Sequence, residues 1–154
     1  MYADAGLFLV PMLYDVRVPA AASAARLLES VARGNRKVST STLTWDEVVY
    51  VVRRLLGVED SIAKGAGLLA FPNLTWLRVD LAVLRRAADL YQSLPMRPRD
   101  AIHAAAALEA GEREILSEDR VFDRVSGLRR VWPPLYGFSI GVRTRLPHSV
   151  QDPS

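Results

Sequence analysis

There is no cysteine among the 154 residues of the chain. Disulfides, thiolate nucleophiles and cysteine-ligated zinc are therefore excluded, and the composition fits an intracellular, cytoplasmic protein. Lysine is nearly missing as well, with only Lys37 and Lys64. Long apolar runs are absent too. The longest, residues 7–14, is broken by Pro11 and falls far short of the ~20 residues that span a bilayer. It begins too close to Met1 to leave room for a charged leader, so neither a membrane anchor nor a signal peptide is expected. Internal repeats and low-complexity tracts are also lacking.

What is present describes one folded domain. Half of the residues are hydrophobic and the formal net charge is +3, a balance that favours a packed core over disorder. The positive charge is nearly all arginine and comes in pairs, Arg53-Arg54, Arg85-Arg86 and Arg129-Arg130, with Arg97 and Arg99 flanking Pro98. Planar guanidinium groups suit phosphates, although so mild an excess reads equally as a solvated surface.

Apolar periodicity and turn residues predict alternating elements. Strands are expected over 2–4, 37–41, 74–79, 114–116 and 128–131. Helices are expected over 5–13, 19–33, 44–56, 59–69, 80–93 and 98–110, with a turn or two over 119–125. Val48, Val51, Val52 and Leu55 form the apolar face of the third helix. In the fifth, Leu81, Leu84, Ala88 and Tyr91 are expected to face inward. Short β-branched runs alternating with helices imply a parallel sheet covered on both faces. Residues 1–132 are expected to form the domain and residues 133–154 a C-terminal extension.

Ligands bind such sheets beyond the carboxyl ends of the strands. Four acids are expected near such ends: Asp4 after the first strand, Glu47 and Asp100 in the first turns of helices, and Asp119 after the fourth strand. Each has a local reading. Thr44 and Glu47 have capping-box spacing, Asp100 suits a helix dipole, and Asp4 and Asp119 suit N-caps. Capping does not require the four to converge on one edge. If they do, their mutual repulsion calls for a hard divalent cation such as Mg²⁺ or Mn²⁺. An acid-only, cysteine-free site of that kind is best suited to phosphodiester hydrolysis.

Four segments, in order, resemble the motifs of PIN-domain ribonucleases: Tyr2-Ala3-Asp4-Ala5-Gly6, Thr44-Trp45-Asp46-Glu47-Val48, Arg97-Pro98-Arg99-Asp100-Ala101-Ile102-His103 and Ile115-Leu116-Ser117-Glu118-Asp119. Within that family the chain looks most like VapC-type toxins of prokaryotic toxin–antitoxin pairs. The resemblance implies a three-layer α/β/α PIN-like (Rossmann-like) domain with a short parallel sheet. It also implies a Mg²⁺- or Mn²⁺-dependent endoribonuclease. Asp4, Glu47, Asp100 and Asp119 would then hold the metal, and Asp123 would join through water. Arg97, Arg99, Arg120 and Ser117 would position RNA. An antitoxin and a second copy of the chain are the implied partners. Asp46, about 100° from Glu47 around the helix, is expected to point outward, and His103 to be hydrogen-bonded within the fold.

One position departs from the family pattern. Where an Asn, Ser or Thr is usual two residues after the first Asp, this chain has Gly6. That departure motivates a second expectation, a catalytically weakened module that binds RNA or protein. A receiver-like signalling domain fits less well, because Asp4 has no acidic neighbour and neither lysine lies near the last strand.

Overall fold

The computed structural model describes residues 1–132; the expected extension over 133–154 lies outside the described residues. Five strands alternate with six α-helices among them. These are β1 (Tyr2–Ala3), α1 (Gly6–Leu13), α2 (Pro19–Ala32), β2 (Val38–Ser41), α3 (Leu43–Leu56), α4 (Val58–Leu69), β3 (Leu74–Leu77), α5 (Leu81–Ser93), α6 (Pro98–Glu109), β4 (Glu114–Leu116) and β5 (Arg129–Val131). A 3₁₀ turn spans Arg120–Arg124. The sheet is wholly parallel, in the order β3-β2-β1-β4-β5. The chain thus winds outward from β1 in both directions, and the crossovers part beyond the carboxyl ends of β1 and β4. In sheets of this kind that parting is where a crevice forms.

Side-chain alternation along β1 divides the core between two layers. Tyr2 packs with Ile115 and Phe122 against α5 and α6, whereas Ala3 packs with Leu116 against α1, α2 and α3. Helix α6 opens at Pro98, which needs no amide partner there, and is followed by Gly111 at φ +74°. Its Ala101, Ala104, Ala105, Ala106 and Ala107 are buried. These small side chains let the α6 backbone lie close to the sheet and to α5.

Two local expectations are corrected. Helix α3 begins at Leu43, one residue early, with no side-chain cap. Thr44 is buried instead, and its hydroxyl lies 2.7 Å from that of Thr40, which in turn donates to the Ala3 carbonyl at 2.7 Å. The Thr44–Glu47 capping box therefore does not form. Leu55, expected on the inner face of α3, is also exposed.

Helix α5 is capped as expected, Asp80 Oδ1 accepting from the Val83 amide at 3.0 Å. Its inward face differs, however. Leu81, Leu84 and Tyr91 are 61%, 44% and 52% exposed, and Ala88 is exposed as well. Val83 and Ala87 are buried in their place, with Leu90 and Leu94 beside them. The helix carries two apolar stripes at helical spacing. The alanine surface of α6 takes the one with the smaller side chains, because that stripe permits closer approach.

Candidate functional site

The site is built on the carboxyl ends of β1 and β4. Asp4 directly follows β1, and its Oδ1 accepts from the Gly6 amide at 2.8 Å. It does not sit at the helix cap, which is Ala5. Ser117 directly follows β4, and its hydroxyl also hydrogen-bonds to the Asp4 carboxylate. Ser117 Oγ accepts from the Asp119 amide at 3.0 Å, while Asp119 Oδ1 caps the 3₁₀ turn through the Val121 amide at 2.9 Å. The N-cap reading of Asp119 therefore holds.

Asp100 enters from the first turn of α6 and shares a cleft of about 620 Å³ with Asp119, Arg97 and Tyr91. Glu47 enters from the first turns of α3. Its Oε2 lies 2.5 Å from Nε2 of His103, which stands one turn beyond Asp100 on α6. The other ring nitrogen, Nδ1, lies 2.6 Å from the Tyr2 phenol oxygen. One line of contacts, Tyr2–His103–Glu47, thus ties β1, α6 and α3 together beside Asp4.

Electrostatics show which carboxylates sense each other. Burial pushes the Asp4 carboxyl from 3.8 up to about 6; His103 and the Ser117 and Gly6 donors oppose the rise, and Glu47 adds to it. Burial also raises the Asp100 carboxyl, and the neighbouring Asp119 charge raises it further. For His103, burial alone would lower the imidazole pKa. The Glu47 hydrogen bond and charge, joined by Asp4 and Asp100, outweigh burial and raise it. Burial raises the Tyr2 phenol, which keeps it neutral. Three carboxylates, Glu47, Asp4 and Asp100, thus act on a single imidazole.

The remaining candidates fall at the rim. Asp123 is gripped by Arg130, whose Nε and Nη2 donate to its two oxygens at 2.9 and 3.1 Å. Arg99 is half exposed, 3.3 Å from Asp46 and over the Tyr50 ring at 5.7 Å. Asp46 accordingly points outward. Arg97 and Arg120 are exposed. At Gly6, a Cβ would stand 3.0 Å from Asp4 Oδ1 and 3.8 Å from the edge of the Trp132 ring. Any side chain there would press on the Asp4 carboxylate.

The donors suit a hard divalent cation, being all oxygen, with Asp4 and Asp100 half-buried without enough positive charge to hold them at ordinary values. Among the described residues, no three His, Asp or Glu side chains stand in a ready-made cage. Mg²⁺ fits such a site, since it takes one or two carboxylates directly and keeps most of its waters.

The family model described as "PIN domain" matches residues 9–128. The chain belongs to the PIN-domain family. No curated protein sequence matches it significantly. Among solved structures, this PIN domain is similar to Mycobacterium tuberculosis VapC20, described as a sarcin-ricin loop cleaving toxin. The identity is 17%, with 79% of this chain and 92% of that chain covered, at a TM-score of 0.64. It is similar to FitAcB from Neisseria gonorrhoeae at 15% identity, with coverages of 88% and 98% and a TM-score of 0.64. A DNA-bound VapBC from Salmonella typhimurium shares 20% identity, with coverages of 84% and 95% and a TM-score of 0.60.

Sequence reasoning did not pair Tyr2 and His103 with Glu47. The signals were there, since Tyr2 and Asp4 share one side of β1 at i, i+2, and Asp100 and His103 share one side of α6 at i, i+3. What no local pattern carries is the fold that brings Glu47 of α3 and His103 of α6, from opposite layers, together at the end of the sheet.

Proposed function

We propose that this PIN domain is a Mg²⁺- or Mn²⁺-dependent endoribonuclease and the toxin of a toxin–antitoxin pair. The observation that carries the reading is the gathering of carboxylates at the crevice between β1 and β4. Asp4 and Glu47 sense one another, as do Asp100 and Asp119. His103 beside Asp4, and the backbone amide and charge of Arg97 beside Asp100, offset the burial of these two acids only in part, which is the arrangement that a cation would relieve. Structural likeness to VapC20 and to toxin–antitoxin complexes favours RNA as substrate and an antitoxin as partner.

In this reading Asp4, Glu47, Asp100 and Asp119 hold the cation, directly or through its waters. A bound divalent cation supplies Lewis acidity, neutralising phosphodiester charge and easing loss of a proton from water. The protein's own work is placement. The Ser117 hydroxyl and the Gly6 amide fix Asp4, and the α6 N-terminus favours an ionised Asp100. Arg97 at the cleft, with Arg99 and Arg120 on the rim, offers guanidinium groups to the RNA backbone. Asp123, held by Arg130, borders the site and reaches the cation only through water. A second copy of the chain would give the dimer that the family resemblance implies.

The test is cleavage of a structured RNA by the full chain with Mg²⁺ or Mn²⁺, with EDTA, and with Asp100→Asn. Cleavage that needs metal and is lost in the variant supports the reading. Cleavage undiminished in EDTA would sink it. The tight fit of Gly6 against Asp4 and Trp132 favours one other reading, an RNA- or protein-binding module with a weakened site. Absence of Mn²⁺ binding at millimolar concentration, measured by calorimetry, would select it.

A further inference from the structure

Glu47 is held in an unusual way for an acid at the edge of a metal site. Its Oε2 is occupied at 2.5 Å by His103 Nε2, on a ring that is 98% buried by side-chain exposure of 2%, while Glu47 itself is 16% exposed. The ring cannot turn away, because its Nδ1 is occupied at 2.6 Å by the Tyr2 phenol. The two rings also meet edge to face, with centroids 5.8 Å apart and planes at 62°. Every nitrogen of the imidazole is therefore committed.

The Tyr2 phenol decides which nitrogen faces Glu47 as a donor. On a neutral ring the phenol donates to Nδ1, so the ring proton resides on Nε2; on a charged ring both nitrogens donate. In either state Nε2–H donates to Glu47 Oε2. One carboxylate oxygen is spent, and the other, Oε1, is left for the site. Three elements meet in this contact, the acid coming from α3, its clamp from α6 and the brace of the clamp from β1.

We infer that His103, braced by Tyr2, is a positioning residue that fixes Glu47 so that it offers one oxygen, Oε1, to the cation. The inference rests on the reading of Asp4, Glu47, Asp100 and Asp119 as the cation-holding set. It inverts the familiar pairing in which a carboxylate orients a histidine ligand, here with the histidine orienting the carboxylate. Loss of an orienting partner of this kind typically costs about 10–100-fold in metal affinity. His103 itself touches neither substrate nor cation.

The experiment is calorimetric titration of Mn²⁺ into the metal-stripped full chain, paired with thermal unfolding in EDTA. His103→Leu, which keeps volume and removes the donor, is expected to weaken Mn²⁺ binding about 10–100-fold. His103→Gln, which restores an amide donor toward Glu47, is expected to recover most of that loss. Tyr2→Phe, which removes one hydroxyl, is expected to weaken Mn²⁺ binding about fivefold, the equivalent of one ordinary hydrogen bond. It serves as the readout if His103→Leu fails to fold. A purely structural histidine would lower the unfolding temperature in EDTA and leave the Mn²⁺ affinity of folded His103→Leu and Tyr2→Phe at the wild-type value, which would overturn the inference alone. A wild-type chain that takes up no Mn²⁺ would overturn the metal-site reading and the inference with it.

Discussion

Asp4 offers the most direct measure of whether the site is built to need a cation. Burial raises its carboxyl from 3.8 to about 6, so ionising it in the fold costs about 3 kcal/mol at neutral pH. The sign follows from proton counts. Between those values the native protein keeps a proton that the unfolded chain has released, so metal-free stability falls as pH rises from about 4 to about 6. Asp4→Asn removes the charge but keeps an Oδ1 that can accept from the Gly6 amide. In EDTA at pH 7 the variant should therefore be more stable than wild type by up to about 3 kcal/mol, or about 6–12 °C in Tm. The two should converge near pH 4. His103 does not confuse this window, since its raised pKa contributes stability that is complete below about 6.5 and lost only as pH climbs through the folded value. Mn²⁺ at about one thousand times the dissociation constant should reverse the order, adding about 4.1 kcal/mol to wild type and little to the variant. Differential scanning calorimetry across pH 4–8, with EDTA and with Mn²⁺, makes the comparison. A variant no more stable than wild type in EDTA at pH 7 would refute the burial argument.

Asp100→Asn should likewise leave metal-free Tm equal or higher, because burial and the Asp119 charge both oppose its ionisation; a large loss would assign it to the helix dipole instead. On α5, chemical denaturation should separate the two apolar stripes. Val83→Ala should cost about 1–2 kcal/mol, whereas Leu84→Ala at an exposed position should stay within about 0.5 kcal/mol. Asp80→Ala should cost about 1 kcal/mol through loss of the cap on the Val83 amide. Arg99→Ala should change stability by less than about 1 kcal/mol, as its ion pair with Asp46 is exposed. Its effect should appear instead in RNA affinity, as a shallower dependence on salt.

Which parts of this molecule can be read from its sequence depends on how local the deciding interaction is. Asp80 before an apolar helix and Pro98 with Gly111 around α6 act through their own neighbours, so those boundaries are legible. Strand existence is legible for the same reason, though β1 and β3 end one and two residues short of expectation. The face of α5 is not legible, because both of its stripes satisfy the same period and the choice belongs to the alanine surface of α6. Thr44 shows the limit most clearly. Its spacing to Glu47 satisfies a local capping rule, yet Thr40, one helical turn earlier and on β2, takes its hydroxyl, while His103, 56 residues away, takes the Glu47 carboxylate. A surface helix end would have favoured the box. Here Thr44 and His103 are both buried, where an unpaired imidazole or hydroxyl costs more than an uncapped amide near solvent. The partner with most to lose from being unpaired therefore claims the carboxylate, and a stabilising cap is given up for a positioned acid.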